Sequence, residues 1–105
     1  AAAIQNRAGQ FLKPDARSAS EALATIQLDN NLTGSDPNPS AGYPIVTFTW
    51  ILAYRNGNGS KADDIRKALL YLLGPAQGRA DDLGYVPLQG SLLNKAKRAV
   101  DKIGK

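Results

Sequence analysis

The chain has 105 residues, 43% of them hydrophobic, which is typical of one small globular domain or of part of a larger one. It contains no cysteine, histidine or methionine, which excludes disulfides, the commonest metal ligands and the usual thiol and imidazole catalysts. The net charge of +4 arises entirely within residues 61–105, and no apolar run approaches the roughly 18 residues of a membrane-spanning helix. The absent initiator methionine leads us to expect a processed or partial chain.

The first 42 residues are predicted to contain two short extended pieces, one helix and a polar loop. The extended pieces are expected over 1–13, on either side of a glycine turn. Ser18 and Glu21 fit a capping box that begins a helix over about 18–28. Residues 29–42 are dense in Asn, Asp, Gly, Pro and Ser, which predicts a loop whose composition also suits an interdomain linker.

Residues 43–55 form the clearest predicted strand, because β-branched and aromatic residues fill them. Alternation places Ile45, Thr47, Thr49 and Ile51 on one face and Val46, Phe48, Trp50 and Leu52 on the other. Both faces are mostly apolar, which favours an interior strand covered on both sides. The rest of the chain offers only weak strand candidates, so we expect this strand to need neighbours from a sheet that is missing here.

Helical patterns dominate the rest of the chain. Ser60 and Asp63 fit a second cap, and an apolar stripe between Ile65 and Leu73 predicts a helix that stops at Gly74-Pro75. The remaining expected elements are, in chain order, two turns over 76–83 closed by Gly84, an extended piece over 85–88 and an amphipathic helix over 91–103.

Enzymatic chemistry is not expected from this sequence. The pairs Asp63-Asp64 and Asp81-Asp82 are adjacent, and neighbours on a helix do not face each other, so neither resembles a catalytic dyad. Without histidine, a serine nucleophile needs a lysine base, and no Ser-x-x-Lys motif occurs. We expect no catalytic residue, no cofactor and no metal site.

Two features admit a binding interpretation. The glycine-rich run over 56–60 leads into a helix, as an anion cradle does, but the following Asp63 and Asp64 would repel an anion, so a turn is favoured. A basic tail contains Lys95, Lys97, Arg98, Lys102 and Lys105 and faces only Asp101. It suits a nucleic-acid or membrane surface, but a solvated helix face near the negative end of its dipole is the favoured interpretation.

Residues 43–52 resemble a hallmark of phosphate-specific periplasmic binding proteins of ABC transporters, in which an aromatic-Pro-Ile segment enters a long strand near the end of the chain. The similarity continues through the turn at 74–78 to residues 82–88, which are similar to the family's Leu-Gly-Tyr-x-Pro-Leu motif. A closing amphipathic helix follows in both. The resemblance covers about residues 43–103, and residues 1–42 fit it more loosely.

The resemblance implies an α/β fold class and part of a type II periplasmic binding-protein fold, in which two α/β lobes joined by a hinge close on one ligand. Residues 1–42 would lead back through the hinge region, with one helix and a polar loop. Residues 43–105 would add a strand and helices to the first lobe, so that the chain completes mainly one lobe. The implied ligand is phosphate, and the implied partners are the remainder of the same protein and a membrane permease, in the periplasm, without nucleic acid.

The resemblance assigns no phosphate-binding residue to this segment. In the family, backbone amides at helix N-termini, Ser/Thr hydroxyls, one Arg and a carboxylate hold phosphate, and none of the motifs that supply them occurs here. The leading hypothesis is therefore a scaffolding fragment of a receptor for high-affinity phosphate uptake. Two alternatives stay open: a free-standing basic module that binds an acidic partner through helix 91–103, and a receptor for another oxyanion.

Overall fold

The secondary structure is a small mixture of helices and short strands, which is compatible with the α/β class. The structure, a computed structural model, describes residues 1–36 and 38–105. Its elements are β1 (Ile4–Gln5), β2 (Phe11–Leu12), α1 (Ala16–Leu23), α2 (Ala62–Leu73) and α3 (Gly90–Asp101), with 3₁₀ turns at Gly59–Lys61, Pro75–Arg79 and Asp81–Leu83. Two compact units are present: Ala1–Phe48 with Gly84–Val86, and Thr49–Leu83 with Pro87–Lys105.

In the first unit, β1 and β2 pair as a short antiparallel hairpin, with Ile4 opposite Leu12. Asn6 closes the connection, since its backbone N–H donates to the Gln10 carbonyl at 2.9 Å and its side-chain oxygen accepts from the Gln10 N–H at 3.0 Å. Gly9 adopts a φ of +85°, which a residue without a Cβ adopts at little cost. The predicted pair of extended pieces around a glycine turn is confirmed.

The start of α1 differs from the prediction. Asp15 caps the helix, because its carboxylate accepts from the Ser18 N–H at 2.7 Å. The predicted capping box of Ser18 and Glu21 is therefore wrong, and Glu21 pairs instead with Arg17 at 3.3 Å. A carboxylate at this position satisfies a free N–H group, and its negative charge interacts favourably with the positive end of the helix dipole.

The end of α1 also differs, since the helix stops at Leu23 rather than near residue 28. The Thr25 hydroxyl donates to the Ala22 carbonyl at 2.7 Å and so occupies the acceptor that the next helical N–H would use. The Ile26 N–H donates instead to the Leu23 carbonyl at 3.1 Å, a tighter 3₁₀-type bond that ends the helix.

Gly42 returns the chain closely against α1 within the same unit. A Cβ at this position would lie 2.2 Å from the Ser18 carbonyl oxygen and 2.4 Å from the Ala22 nitrogen, and φ is +74°. The Tyr43 N–H donates to the Ser18 carbonyl at 3.0 Å, and the buried Asn6 side chain donates to the Gly42 carbonyl at 3.2 Å. The buried hydrophobic side chains of this unit are Ala19, Ala22, Leu23, Ile26 and Pro39.

The polar loop predicted over 29–42 is confirmed over 29–36 and 38–42, which contain no helix or strand, and Pro37 lies outside the described residues. The Asp29 carboxylate accepts from the N–H groups of Asn31 and Thr33 at 2.8 and 2.9 Å and from the Thr33 hydroxyl at 2.6 Å. In this Asx-type turn, the Asn31 and Thr33 donors bond to a side chain of the same loop, so the loop satisfies them without a helix or strand.

In the second unit, α2 and α3 pack against each other around the buried side chains of Ala62, Val100 and Ile103. The predicted cap by Ser60 is wrong: residues 59–61 form a 3₁₀ turn, which places Lys61 at the cap position, and no side chain makes a capping bond. Asp63 and Asp64 occupy the first turn as predicted. The helix ends at Gly74, also as predicted.

The connection between α2 and α3 follows the predicted order. Pro75 opens the first of two 3₁₀ turns, and Gly84 after the second has a φ of +78°. The Gln77 side chain fixes this connection, since it donates to the Leu72 carbonyl and accepts from the Leu88 N–H, each at 2.7 Å. α3 then runs over Gly90–Asp101, close to the predicted 91–103.

Candidate functional site

Residues 43–55, predicted as an interior strand, adopt no strand, and the stretch from 49 to 55 is exposed throughout. The exposed fractions are 47% for Trp50, 66% for Ile51, 95% for Leu52 and 80% for Tyr54. The prediction of a strand covered on both faces is therefore wrong for this structure. A strand needs neighbours for its backbone N–H and C=O groups, and among the described residues the only strands are β1 and β2, which pair with each other.

Residues 49–54, which we name the exposed segment, are the strongest candidate for a functional surface. Their sequence, Thr-Trp-Ile-Leu-Ala-Tyr, combines high β-propensity with the absence of charge, proline and glycine. A contiguous apolar surface of this kind on a water-facing chain typically marks an interaction site, whereas single exposed apolar residues do not. The chemistry that it supports is association through strand pairing and apolar burial.

Hydrogen bonds hold the C-terminal side of the exposed segment in place. The Asn58 side-chain amide donates to the Tyr54 carbonyl at 2.9 Å and to the Gly104 carbonyl at 2.7 Å. The Gly104 N–H donates in turn to the Arg55 carbonyl at 2.7 Å. These bonds anchor the C-terminal end of the segment to other residues of the second unit.

Two donors of the glycine-rich run over 56–60 bond to carbonyls elsewhere in the second unit. The Gly57 N–H donates to the Lys105 carbonyl at 3.0 Å, and the Asn58 amide is engaged as described above. Asp63 and Asp64 lie exposed in the first turn of α2, where their negative charge opposes an anion. The geometry thus favours the turn interpretation over an anion cradle, and the expected absence of phosphate ligands stays a prediction.

One aspartate of each adjacent pair, Asp63 and Asp82, forms an ion pair with an arginine on its own side of the sequence. Asp63 pairs with Arg66, which also donates to the Ile103 carbonyl and so ties α2 to the residues after α3. Asp82 lies 3.5 Å from Arg79, and both side chains are exposed. Such surface pairs contribute roughly 0–1 kcal/mol and favour no catalytic geometry. Over residues 1–36 and 38–105, no group of three or more potential ligands is placed to hold a metal ion.

The basic residues in and just after α3 differ in exposure. Lys95, Arg98 and Lys102 recur at helical spacing. Arg98 occupies the last turn of α3, where a cation interacts favourably with the negative end of the helix dipole. Arg98 and Lys102 are exposed, and Lys95 is half-buried. The arrangement fits the solvated face that the sequence favours.

Two contacts that stabilise the fold were not predicted from the sequence: the close approach of Gly42 to α1 and the hydrogen bonds of the Gln77 side chain. The Gly42 approach to α1 had a partial indication, because a glycine at the end of a polar loop suits a positive φ. The double hydrogen bond of Gln77 had none, because it joins residues that are eleven positions apart in sequence, Gln77 and Leu88.

No protein-family model matches the chain. The chain is similar to the phosphate-binding protein PstS of Methanocaldococcus jannaschii, with 30% identity over 125 aligned positions. The alignment takes in 97% of this chain and 30% of that protein, so the chain spans less than a third of the relative's length. No helix in the described part of the chain has both the length and the apolar character of a membrane span.

Proposed function

We propose that the chain is one part of a phosphate-binding receptor and that it completes a lobe of that receptor without contacting phosphate itself. Sequence likeness supports a phosphate-binding role, through the ordered motifs over residues 43–103 and the similarity to PstS along nearly the whole chain. The short span relative to PstS supports a partial contribution to a larger fold.

The observation that carries the scaffolding role is the exposed segment. Its residues have strand-forming character on both faces, yet Leu52 is 95% and Tyr54 80% exposed. Burial of each large apolar side chain is worth about 1.5–3 kcal/mol, so a neighbouring sheet would stabilise this region considerably. In the proposed receptor, a sheet of the type II binding fold supplies the neighbours, and α2 and α3 help to cover it.

Phosphate capture is proposed to lie in the remainder of the receptor. A dehydrated oxyanion needs several convergent N–H and O–H donors, and charge-assisted bonds make the strongest contribution. The donors of Gly57 and Asn58 are used on carbonyls, and the nearby acidic pair opposes an anion. The proposed receptor is not an enzyme, works in the periplasm and delivers phosphate to a membrane permease.

Calorimetric titration with phosphate tests the division of labour. Residues 1–105 alone should release no binding heat, whereas a longer polypeptide that includes them and the remaining lobe should bind phosphate tightly. A micromolar or tighter constant for the 105-residue chain would overturn the claim that the ligands lie elsewhere. Sulfate titrated in parallel tests the alternative of a receptor for another oxyanion, which predicts that sulfate binds the longer polypeptide in preference to phosphate.

The charge of α3 supports a second candidate, a basic module that binds an acidic partner. Arg98 is exposed in this helix and Lys102 just after it, with Asp101 as the one acidic residue of 83–105. Such binding would weaken steeply with salt, because it depends on the release of counterions or on surface charge pairing. Replacement of both residues by glutamine should abolish salt-sensitive binding to a polyanion if this candidate is correct.

A further inference from the structure

We propose that the exposed segment, wherever no neighbouring sheet covers it, pairs with the same segment of a second copy of the chain as an antiparallel β-ribbon. This self-association goes beyond the receptor role, and it does not require phosphate. It follows from the composition of residues 49–54, from their exposure and from the pairs that a two-fold arrangement makes.

The composition favours pairing between chains. Segments of six or seven residues with high β-propensity, low charge and no proline are prone to pair with identical segments when they are exposed. The exposed segment meets these conditions, and no charged residue occurs between Asp36 and Arg55. Native strands usually carry a charge or a proline that blocks such pairing, and this one carries neither.

Leu52 and Tyr54 are already accessible for the pairing. Leu52 is 95% exposed and Tyr54 is 80% exposed, so their side chains leave no core when they meet a partner. The bonds of Asn58 to the Tyr54 and Gly104 carbonyls hold the end of the segment in place. Anchoring of this kind lowers the ordering cost of association.

A two-fold antiparallel register is self-complementary. If Ile51 of one copy lies opposite Leu52 of the other, then Trp50 lies opposite Ala53, so a large side chain meets a small one. The same register places Arg55 opposite Phe48. A parallel in-register pairing would instead set Arg55 beside its own copy, where like charges repel, and so the antiparallel arrangement is favoured.

The area sets the expected strength. The exposed parts of Trp50, Ile51, Leu52 and Tyr54 together amount to on the order of 500 Å² per chain, so edge-to-edge pairing, which leaves both faces of the ribbon in water, covers at most about 1,000 Å² per pair. This value lies at the lower limit of specific interfaces. We therefore expect a weak dimer whose population rises with concentration in the micromolar range or above.

Sedimentation equilibrium of the 105-residue chain over a concentration series tests the proposal. The mean mass should rise from monomer towards dimer, and the fluorescence of Trp50, the chain's single tryptophan, should shift to the blue in parallel. Leu52→Lys should raise the dissociation constant of the dimer about a hundredfold or more, because both copies lose an apolar contact and gain a charge. Leu83→Lys is the matched control, since Leu83 is 68% exposed but lies outside the segment, and it should leave the constant unchanged.

Circular dichroism should show both variants folded like the parent chain, because each replaced side chain is largely exposed. A chain that stays monomeric at every concentration would overturn the proposal. So would a dimer that is insensitive to Leu52→Lys, or equal weakening by Leu83→Lys, which would indicate unspecific apolar association. None of these results depends on phosphate binding, so the receptor role is judged separately.

Discussion

Two substitutions at the start of α1 have opposite expected effects on the stability of that helix. Asp15→Ala removes the side chain that accepts from the Ser18 N–H at 2.7 Å, which should destabilise the helix by about 1 kcal/mol. Ser18→Ala removes a hydroxyl that is buried without a hydrogen-bond partner among the described residues. An unsatisfied buried polar group costs about 1–3 kcal/mol, and alanine is the better helix former by a few tenths, so this variant should gain about 1–2 kcal/mol.

Hydrogen exchange of the α1 amides measures these effects where they act, because exchange reports on local opening. Asp15→Ala should speed the exchange of these amides about fivefold, and Ser18→Ala should slow it about tenfold. Asp15→Asn keeps a capping acceptor and should lie close to the parent chain. If Ser18→Ala and Glu21→Ala both sped exchange while Asp15→Ala did not, the capping box would be present and our account of this helix start would be refuted.

Two further predictions concern close contacts within single units. Gly42→Ala should destabilise the first unit by about 3 kcal/mol or more, because its Cβ would meet the backbone of Ser18 at 2.2 Å with φ at +74°. Gly57→Ala, with φ at +87° but open space, should cost only about 1–2 kcal/mol in urea unfolding, and equal losses would contradict this reasoning. Gln77→Ala should lower the free energy of unfolding by about 1–3 kcal/mol, because two hydrogen bonds are lost. Gln77→Glu should still accept from the Leu88 N–H, so hydrogen exchange of that amide should become faster in the alanine variant alone.

Much of the local structure could be predicted because it depends on short-range chemistry. The glycine turn of the first hairpin, the polar loop after α1 and the helix stop at Gly74-Pro75 all follow from residues that fix their own backbone. The periodic apolar stripes located α2 and α3 to within a few residues. Such features need no knowledge of distant contacts.

The wrong predictions concern helix ends, where more than one nearby residue can start or stop a helix. Asp15 and Ser18 both suit a helix cap, and the choice between them depends on which residue the chain brings to the cap position. Ser60 does not cap α2 as predicted, because residues 59–61 form a 3₁₀ turn and Lys61 takes the cap position. Thr25 ended α1 early through a side-chain bond that periodicity does not register.

The exposed segment shows a different limit of sequence reasoning. Its β-propensity and two apolar faces predicted a strand, but propensity of this kind describes a fit to neighbouring strands rather than an intrinsic backbone preference. The structure provides no strand next to residues 49–54 among those described, and the segment stays without regular secondary structure and exposed. The sequence alone also indicated the missing neighbours, since it offered few other strands.

Phosphate titration of paired polypeptides tests the central claim most directly. Calorimetry should detect tight phosphate binding by a polypeptide that joins residues 1–105 to the remaining lobe, and the same polypeptide should show Trp50 less accessible to a fluorescence quencher than the 105-residue chain does. The 105-residue chain alone should bind no phosphate. Tight binding by the 105 residues alone, or no binding by the longer polypeptide, would contradict the proposed role as a lobe-completing segment of a phosphate receptor.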